Sequence, residues 1–120
     1  MFSSDLVKKF NNLPTPFYYY DIDILKNNLK SLNNSLKSNN KVHFSVKSNT
    51  NKRILEIVKY YNLGIDAVSY NEIKHCLDLD FQSKDIVFAG VGKTDEEIKK
   101  AIENDIAYFN VESFQELDVI

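Results

Sequence analysis

Long apolar runs are missing from this sequence, and so are a strong net charge, arginine and cysteine. Without a long apolar run nothing in the chain can span a membrane as a helix, and no membrane association is expected. The opening residues Met1-Phe2-Ser3-Ser4-Asp5 lack both the basic start and the apolar stretch of a signal peptide, so a cytoplasmic protein is expected. A formal net charge of -2 supplies no pull toward nucleic acid or an anionic membrane, and neither is expected as a partner. Arg53 is the lone arginine. Cys76 is the lone cysteine, which excludes an intrachain disulfide. Within Ile73-Lys74-His75-Cys76-Leu77, a helical stretch, it reads as a small buried hydrophobe.

What is present is enough for a core: 43% of residues are hydrophobic and 12% aromatic, so disorder is confined to the ends. The 120 residues make one domain or a piece of one. Four short segments rich in β-branched and aromatic residues recur roughly every 21 residues: 42–47, 64–69, 85–90 and 106–111. Helical stripes run between them, with Ile54, Leu55, Val58 and Tyr61 on one and Ile98, Ala101 and Ile102 on another. After three of the strands a Ser or Thr is followed three residues later by Glu, as Ser69…Glu72, Thr94…Glu97 and Ser113…Glu116. Each pattern predicts a capping box, in which hydroxyl and carboxylate satisfy amides at a helix start. Strands feeding directly into helices give an α/β class with a parallel sheet covered by helices.

A (β/α) barrel, an open doubly wound sheet and a leucine-rich solenoid all have such a period. The solenoid is excluded by the absence of a Leu-x-x-Leu-x-Leu-x-x-Asn consensus. The equal, short units favour the barrel. A closed eight-stranded barrel needs about 250 residues, so residues 41–120 are expected to be the first four units, the N-terminal half of a (β/α)8 TIM-type barrel. The chain stops inside a helical pattern at Phe114–Ile120 without a stop signal, and is expected to be a fragment. Residues 1–40 stand outside the repeat. Thr15-Pro16-Phe17-Tyr18-Tyr19-Tyr20-Asp21 reads as an aromatic strand, its approach kept extended by Pro14 and Pro16. A helix capped by Asp21 or Asp23 follows, with Leu25, Leu29, Leu32 and Leu36 on one face, ending at Ser38-Asn39-Asn40.

Lys47 is the first candidate for chemistry. By strand parity Phe44 and Val46 share one face and His43, Ser45 and Lys47 the other. In a barrel this aims Lys47 inward at a strand's C-terminal end, where barrel active sites assemble. A desolvated lysine there has a lowered pKa and can form a Schiff base; the alternative is a surface lysine at a strand end. Asp66, between Ile65 and Ala67, is either the partner of Lys47 or an aspartate facing solvent at an open barrel end. Glu72 is accounted for by its capping box. His43 and His75 are isolated, and no spacing suggests a metal site. Gly90-Val91-Gly92-Lys93-Thr94 resembles a P-loop superficially, but the glycine that motif requires five positions before Gly92 is Val87 here.

Phe44-Ser45-Val46-Lys47-Ser48-Asn49 resembles the cofactor-lysine motif of the alanine-racemase-like pyridoxal enzymes, aromatic-x-Val-Lys-Ala-Asn, with Ser48 in place of the usual Ala. Thr15–Asp21 is similar to that family's opening strand, and Gly64-Ile65-Asp66-Ala67-Val68-Ser69-Tyr70-Asn71-Glu72 to its second barrel strand, although Tyr70-Asn71 departs from the small residues usual there. The likeness runs from Pro14 to the end. Ile86-Val87-Phe88-Ala89-Gly90-Val91-Gly92-Lys93-Thr94 and Asn110-Val111-Glu112-Ser113 are similar to the diaminopimelate decarboxylase branch. Ornithine and arginine decarboxylases usually carry Ala-Asn-Pro-x-Lys at the first position, and alanine racemases a Tyr-Gly-His run after the lysine.

The resemblance implies pyridoxal 5'-phosphate carried on Lys47, with Asp66 and Glu72 meeting the lysine ammonium once it is displaced and Ala89 against the cofactor. It implies decarboxylation of meso-2,6-diaminopimelate to L-lysine and carbon dioxide. It also implies a C-terminal β-domain that the opening strand would join, and a homodimer. The alternatives are an ornithine/arginine-type or carboxynorspermidine decarboxylase, a non-catalytic pyridoxal-phosphate-binding barrel, or a decayed gene product. The 120-residue chain alone is expected to be catalytically dead, because half a barrel leaves unpaired strand edges.

Overall fold

Asp21 starts the first long helix: its Oδ1 accepts hydrogen bonds from Asp23 N and Ile24 N, both at 3.1 Å. The computed structural model describes residues 2–120, and this helix is the second of six. In chain order the helices are α1 (Ser4–Asn11), α2 (Ile22–Ser35), α3 (Lys52–Tyr60), α4 (Tyr70–Leu77), α5 (Asp95–Glu103) and α6 (Phe114–Val119). The strands are β1 (His43–Ser45), β2 (Gly64–Ala67), β3 (Ile86–Phe88) and β4 (Tyr108–Phe109). All pair in parallel, in the order β1-β2-β3-β4. The expected α/β class and barrel half are therefore what forms, with strands shorter than the sequence segments that announced them.

The register sorts side chains into two faces, because directly paired residues of neighbouring parallel strands point the same way. Phe44, Ile65 and Ile86 form one row, and Ala67, Phe88 and Phe109 another. Ile65, Ala67, Ile86 and Phe88 are wholly buried, since α3, α4 and α5 bring Leu55, Val58, Ile73, Cys76 and Ala101 onto them. From α2 only Leu29 is buried, while Leu32 lies exposed and Leu36 falls beyond the last turn as its C-cap. The α2 helix is also tied to the end of α3 by Asn33, whose Nδ2 donates to Tyr61 O at 2.7 Å.

One device ends three helices. Asn62, Asp80 and Asp105 have φ of 58°, 61° and 54°, the left-handed region normally left to glycine. Past each, a backbone N–H reaches five residues back: Leu63 to Val58 O, Phe81 to Cys76 O, and Ile106 to Ala101 O. Those three residues are buried and carry the chain toward the next strand. With three glycines in the sequence, Asn and Asp fill the role instead; their short polar side chains tolerate that conformation.

Three sequence expectations need correcting. Thr15–Asp21 forms no strand, because no segment among the described residues offers it a ladder. The chain bends at Thr15 and Pro16, and beyond them the tyrosines alternate: Tyr18 and Tyr20 stack 6.5 Å apart while Tyr19 turns to Phe10, 5.0 Å away. Phe10 lies on α1, a helix that the sequence reading did not anticipate. Secondly, Ile102 of the α5 stripe is exposed, and burial there falls to Ile98 and Ala101. Thirdly, only Thr94…Glu97 closes a full capping box. At Ser69 and Ser113 the hydroxyl caps as expected, but the carboxylate reaches one residue further back, Glu72 to Val68 N and Glu116 to Glu112 N.

Candidate active site at the carboxyl ends of the strands

Behind the helix-covered face lies the other one, whose row is Ser45, Asp66, Val87 and Tyr108. The first three are half-buried and Tyr108 is exposed. The Ser45 hydroxyl donates to Asp66 Oδ2 at 3.1 Å. This answers the question of Asp66's partner: it is Ser45, a residue to which the sequence reading gave no role. Among the described residues no carboxylate lies within ion-pairing distance of Lys47, and no hydrogen bond uses Asp66 Oδ1.

Lys47 does not belong to its strand. β1 ends at Ser45, and Val46–Ser48 wind into a single 3-10 turn that buries Val46 and leaves Lys47 exposed. Strand parity therefore does not aim it. The turn does, by presenting Lys47 at the carboxyl end of β1, and this chain alone does not desolvate it. The residues around it fold for local reasons. Asn49 N returns to Val46 O at 2.9 Å, and the Ser48 hydroxyl donates to Ser45 O at 2.7 Å. Asn51 N then bonds Asn49 Oδ1, and Asn51 Oδ1 caps α3 at Arg53 N. Asn and Ser are suited to such backbone-mimicking turns. Ser48, the departure from the usual Ala, supplies one of the bonds.

Glu72 stands at the start of α4, its Oε2 accepting from Val68 N at 2.8 Å. It borders a cavity of about 270 Å³ shared with Thr50, Asn71 and His75. His75 Nε2 is 3.0 Å from Thr50 O, joining α4 to the segment after Lys47. His43 sits at the opposite end of β1 over Gly64, and its pKa is lowered by burial and by Lys41. Cys76 is buried, and burial pushes its thiol up to about 12, so it remains a neutral apolar group. Ala89 follows β3, its N–H bonded to Ala67 O at 2.8 Å. Among the described residues no group of three or more His, Cys, Asp or Glu is arranged to hold a metal ion, and no helix is long and apolar enough to cross a membrane.

Sequence reasoning missed Lys93. The sequence reading weighed it only within the rejected P-loop resemblance. Lys93 instead folds inward, its side chain fully buried. Its partners are two backbone carbonyls and a glutamate on a later helix, none of which a local motif signals.

Parallel strands feeding helices, with a lysine, an aspartate and a glutamate at or near the strands' carboxyl ends, make up the N-terminal half of a (β/α) barrel. The chain belongs to a particular family of such proteins: the family model "Pyridoxal-dependent decarboxylase, pyridoxal binding domain" matches residues 22–120. The chain is 43% identical to a diaminopimelate decarboxylase of Bacteroides thetaiotaomicron over 95% of its own length and 30% of that protein's. It superposes on the crystal structure of diaminopimelate decarboxylase from Helicobacter pylori complexed with L-lysine with a TM-score of 0.86 and 35% identity, covering 95% of this chain and 29% of that one. The ornithine decarboxylase of Entamoeba histolytica matches with a TM-score of 0.83 and 25% identity, over 97% of this chain and 36% of that one. The chain thus spans about a third or less of the length of these relatives. The expected family and its cofactor, pyridoxal phosphate, agree with this membership.

Proposed function

We propose that this chain carries the cofactor lysine of a diaminopimelate decarboxylase, with Lys47 as the covalent attachment point for pyridoxal phosphate. The observation that carries the reading is Lys47 itself: exposed, without an ion-pair partner, and held by a 3-10 turn at the carboxyl end of β1 near the Ser45–Asp66 pair. The residues fit the cofactor, since Asp66 Oδ1 is not engaged by any hydrogen bond and Glu72 lines an open cavity near the same turn. Bound there, pyridoxal phosphate supplies a sink for the electron pair left when a carboxylate departs as carbon dioxide.

The chain's own residues have simpler tasks. Lys47 Nζ would hold the cofactor and, when released from it, would take up a proton and stand as a free ammonium. The Ser45 hydroxyl holds Asp66 by Oδ2 and leaves Oδ1 free to meet that ammonium, with Glu72 as the second carboxylate. Ala89 closes the β3 side of the site. The relatives' names favour meso-diaminopimelate as substrate and lysine as product, and the same reading includes a homodimer completed by a C-terminal β-domain.

In the full-length protein, Lys47→Ala is expected to remove the near-visible absorbance of the lysine-bound cofactor and to abolish turnover. The unaltered protein should release carbon dioxide from meso-diaminopimelate and not from ornithine or arginine. A Lys47→Ala protein decarboxylating at the parental rate would refute the lysine assignment, and a preference for ornithine would refute the substrate.

A further inference from the structure

Lysine is almost never fully buried unless paired, yet the Lys93 side chain has no exposed surface. Its Nζ donates to Gly90 O at 2.6 Å and to Asn110 O at 3.0 Å. It stands 2.7 Å from Glu116 Oε1 and 5.6 Å from the centre of the Phe88 ring. Glu116 Oε1 is buried and has no directed hydrogen bond, so its contact with Lys93 is ionic. The close polar contact with Lys93, together with the Glu112 N–H on the other oxygen, holds the Glu116 carboxyl below the usual glutamate range.

These partners come from three places. Gly90 ends the run after β3, Asn110 directly follows β4, and Glu116 lies on α6. Gly90 is also tight on its other side: its φ is +96°, and a Cβ there would lie 3.3 Å from Val68 Cβ. Val68 is in turn the residue whose N–H Glu72 holds. A continuous set of contacts therefore joins the loops after β2, β3 and β4, and the Lys93 ammonium links the last two. It clamps the Gly90-Val91 peptide through Gly90 O while Val68 limits Gly90 on its other side.

We propose that Lys93 is a positioning residue: by fixing the Gly90-Val91 peptide against the end of β4, it sets the placement of the preceding Ala89 in the wall of the site that meets the cofactor. This rests on the reading of Lys47 and Ala89 given above, and goes beyond it by giving a task to a lysine with no contact to the cofactor lysine. Burial of an ammonium is costly and is compensated only when it is paired and hydrogen-bonded; here two carbonyl oxygens accept from it and the Glu116 carboxylate matches its charge.

The test uses the full-length protein and pyridoxal phosphate as the probe. Lys93→Met keeps length and apolar contacts but removes the charge; Glu116→Gln keeps shape and leaves both carbonyl bonds. Lys93→Met is expected to weaken cofactor binding roughly tenfold and to change the circular dichroism of the cofactor band. Glu116→Gln should shift both in the same direction by less, and the double variant should match Lys93→Met, because the two act as one unit. A purely structural lysine would lower the melting temperature and leave the cofactor's affinity and dichroism as in the parent, and that result would overturn the proposal. Should Lys93→Met not fold, a Glu116→Gln protein with parental affinity and dichroism overturns it equally. A parent that binds no cofactor on Lys47 refutes the proposed function, whereas a parent that binds it and a Lys93→Met protein that binds it identically refute only this inference.

Discussion

The two faces of one sheet share a backbone and differ in almost everything else. On the helix-covered side Ile65, Ala67, Ile86 and Phe88 are completely buried. On the other side Ser45 and Asp66 bond to each other in the open row, with Tyr108 65% exposed. The packed core and the polar row are thus separated by a single peptide step along each strand. A residue's neighbour, not its distant relative, is the proper control for what it does.

That contrast can be broken most severely at β3. Ile86→Ala removes a wholly buried side chain and is expected to cost about 2–5 kcal/mol. Val87→Ala, one residue on and facing the other way, should cost under about 2 kcal/mol. Chemical denaturation of both variants in the full-length protein checks this, and equal losses would erase the distinction between the faces. The next effect lies where the open row closes at its base. A Cβ on Gly64 would overlap the His43 ring and sit 2.7 Å from Asp85 O. Gly64→Ala should therefore cost about 1–3 kcal/mol. Adding His43→Ala should recover part of that loss, and a strictly additive pair would show that the ring is not what the methyl meets. The smallest effect belongs to neither face. Asp105 holds φ at 54°, so Asp105→Gly should raise stability by up to about 1 kcal/mol; an unchanged or lower melting temperature would mean that the aspartate is not strained there.

The repeat, the helical stripes and the hydroxyl caps were legible because each depends on residues a few positions apart. The helix stops at Asn62, Asp80 and Asp105 were not, since Asn and Asp are equally at home in loops and the glycine that usually marks such a stop is missing. Lys47 was singled out by motif and by parity, and the parity argument fails: the 3-10 turn at Val46–Ser48 breaks the strand alternation before the lysine. Thr15–Asp21 read as a strand because its residues suit one, but a strand also requires a partner, which composition does not reveal. Lys93 was hidden for a related reason. Its acceptors Asn110 O and Glu116 lie 17 and 23 positions away in sequence, and one of them is backbone that any residue could supply.

The order β1-β2-β3-β4 is also the order in which the chain is written. Every new strand finds its partner in the strand made just before it, so each loop to be closed is short and of similar length, and the entropy lost per closure stays nearly constant. Growth from the ribosome can then proceed by adding units to an existing edge, without waiting for distant sequence to emerge. Protease protection of ribosome-held chains should therefore advance in steps of one strand and helix; protection appearing only after β4 would show that the sheet assembles all at once.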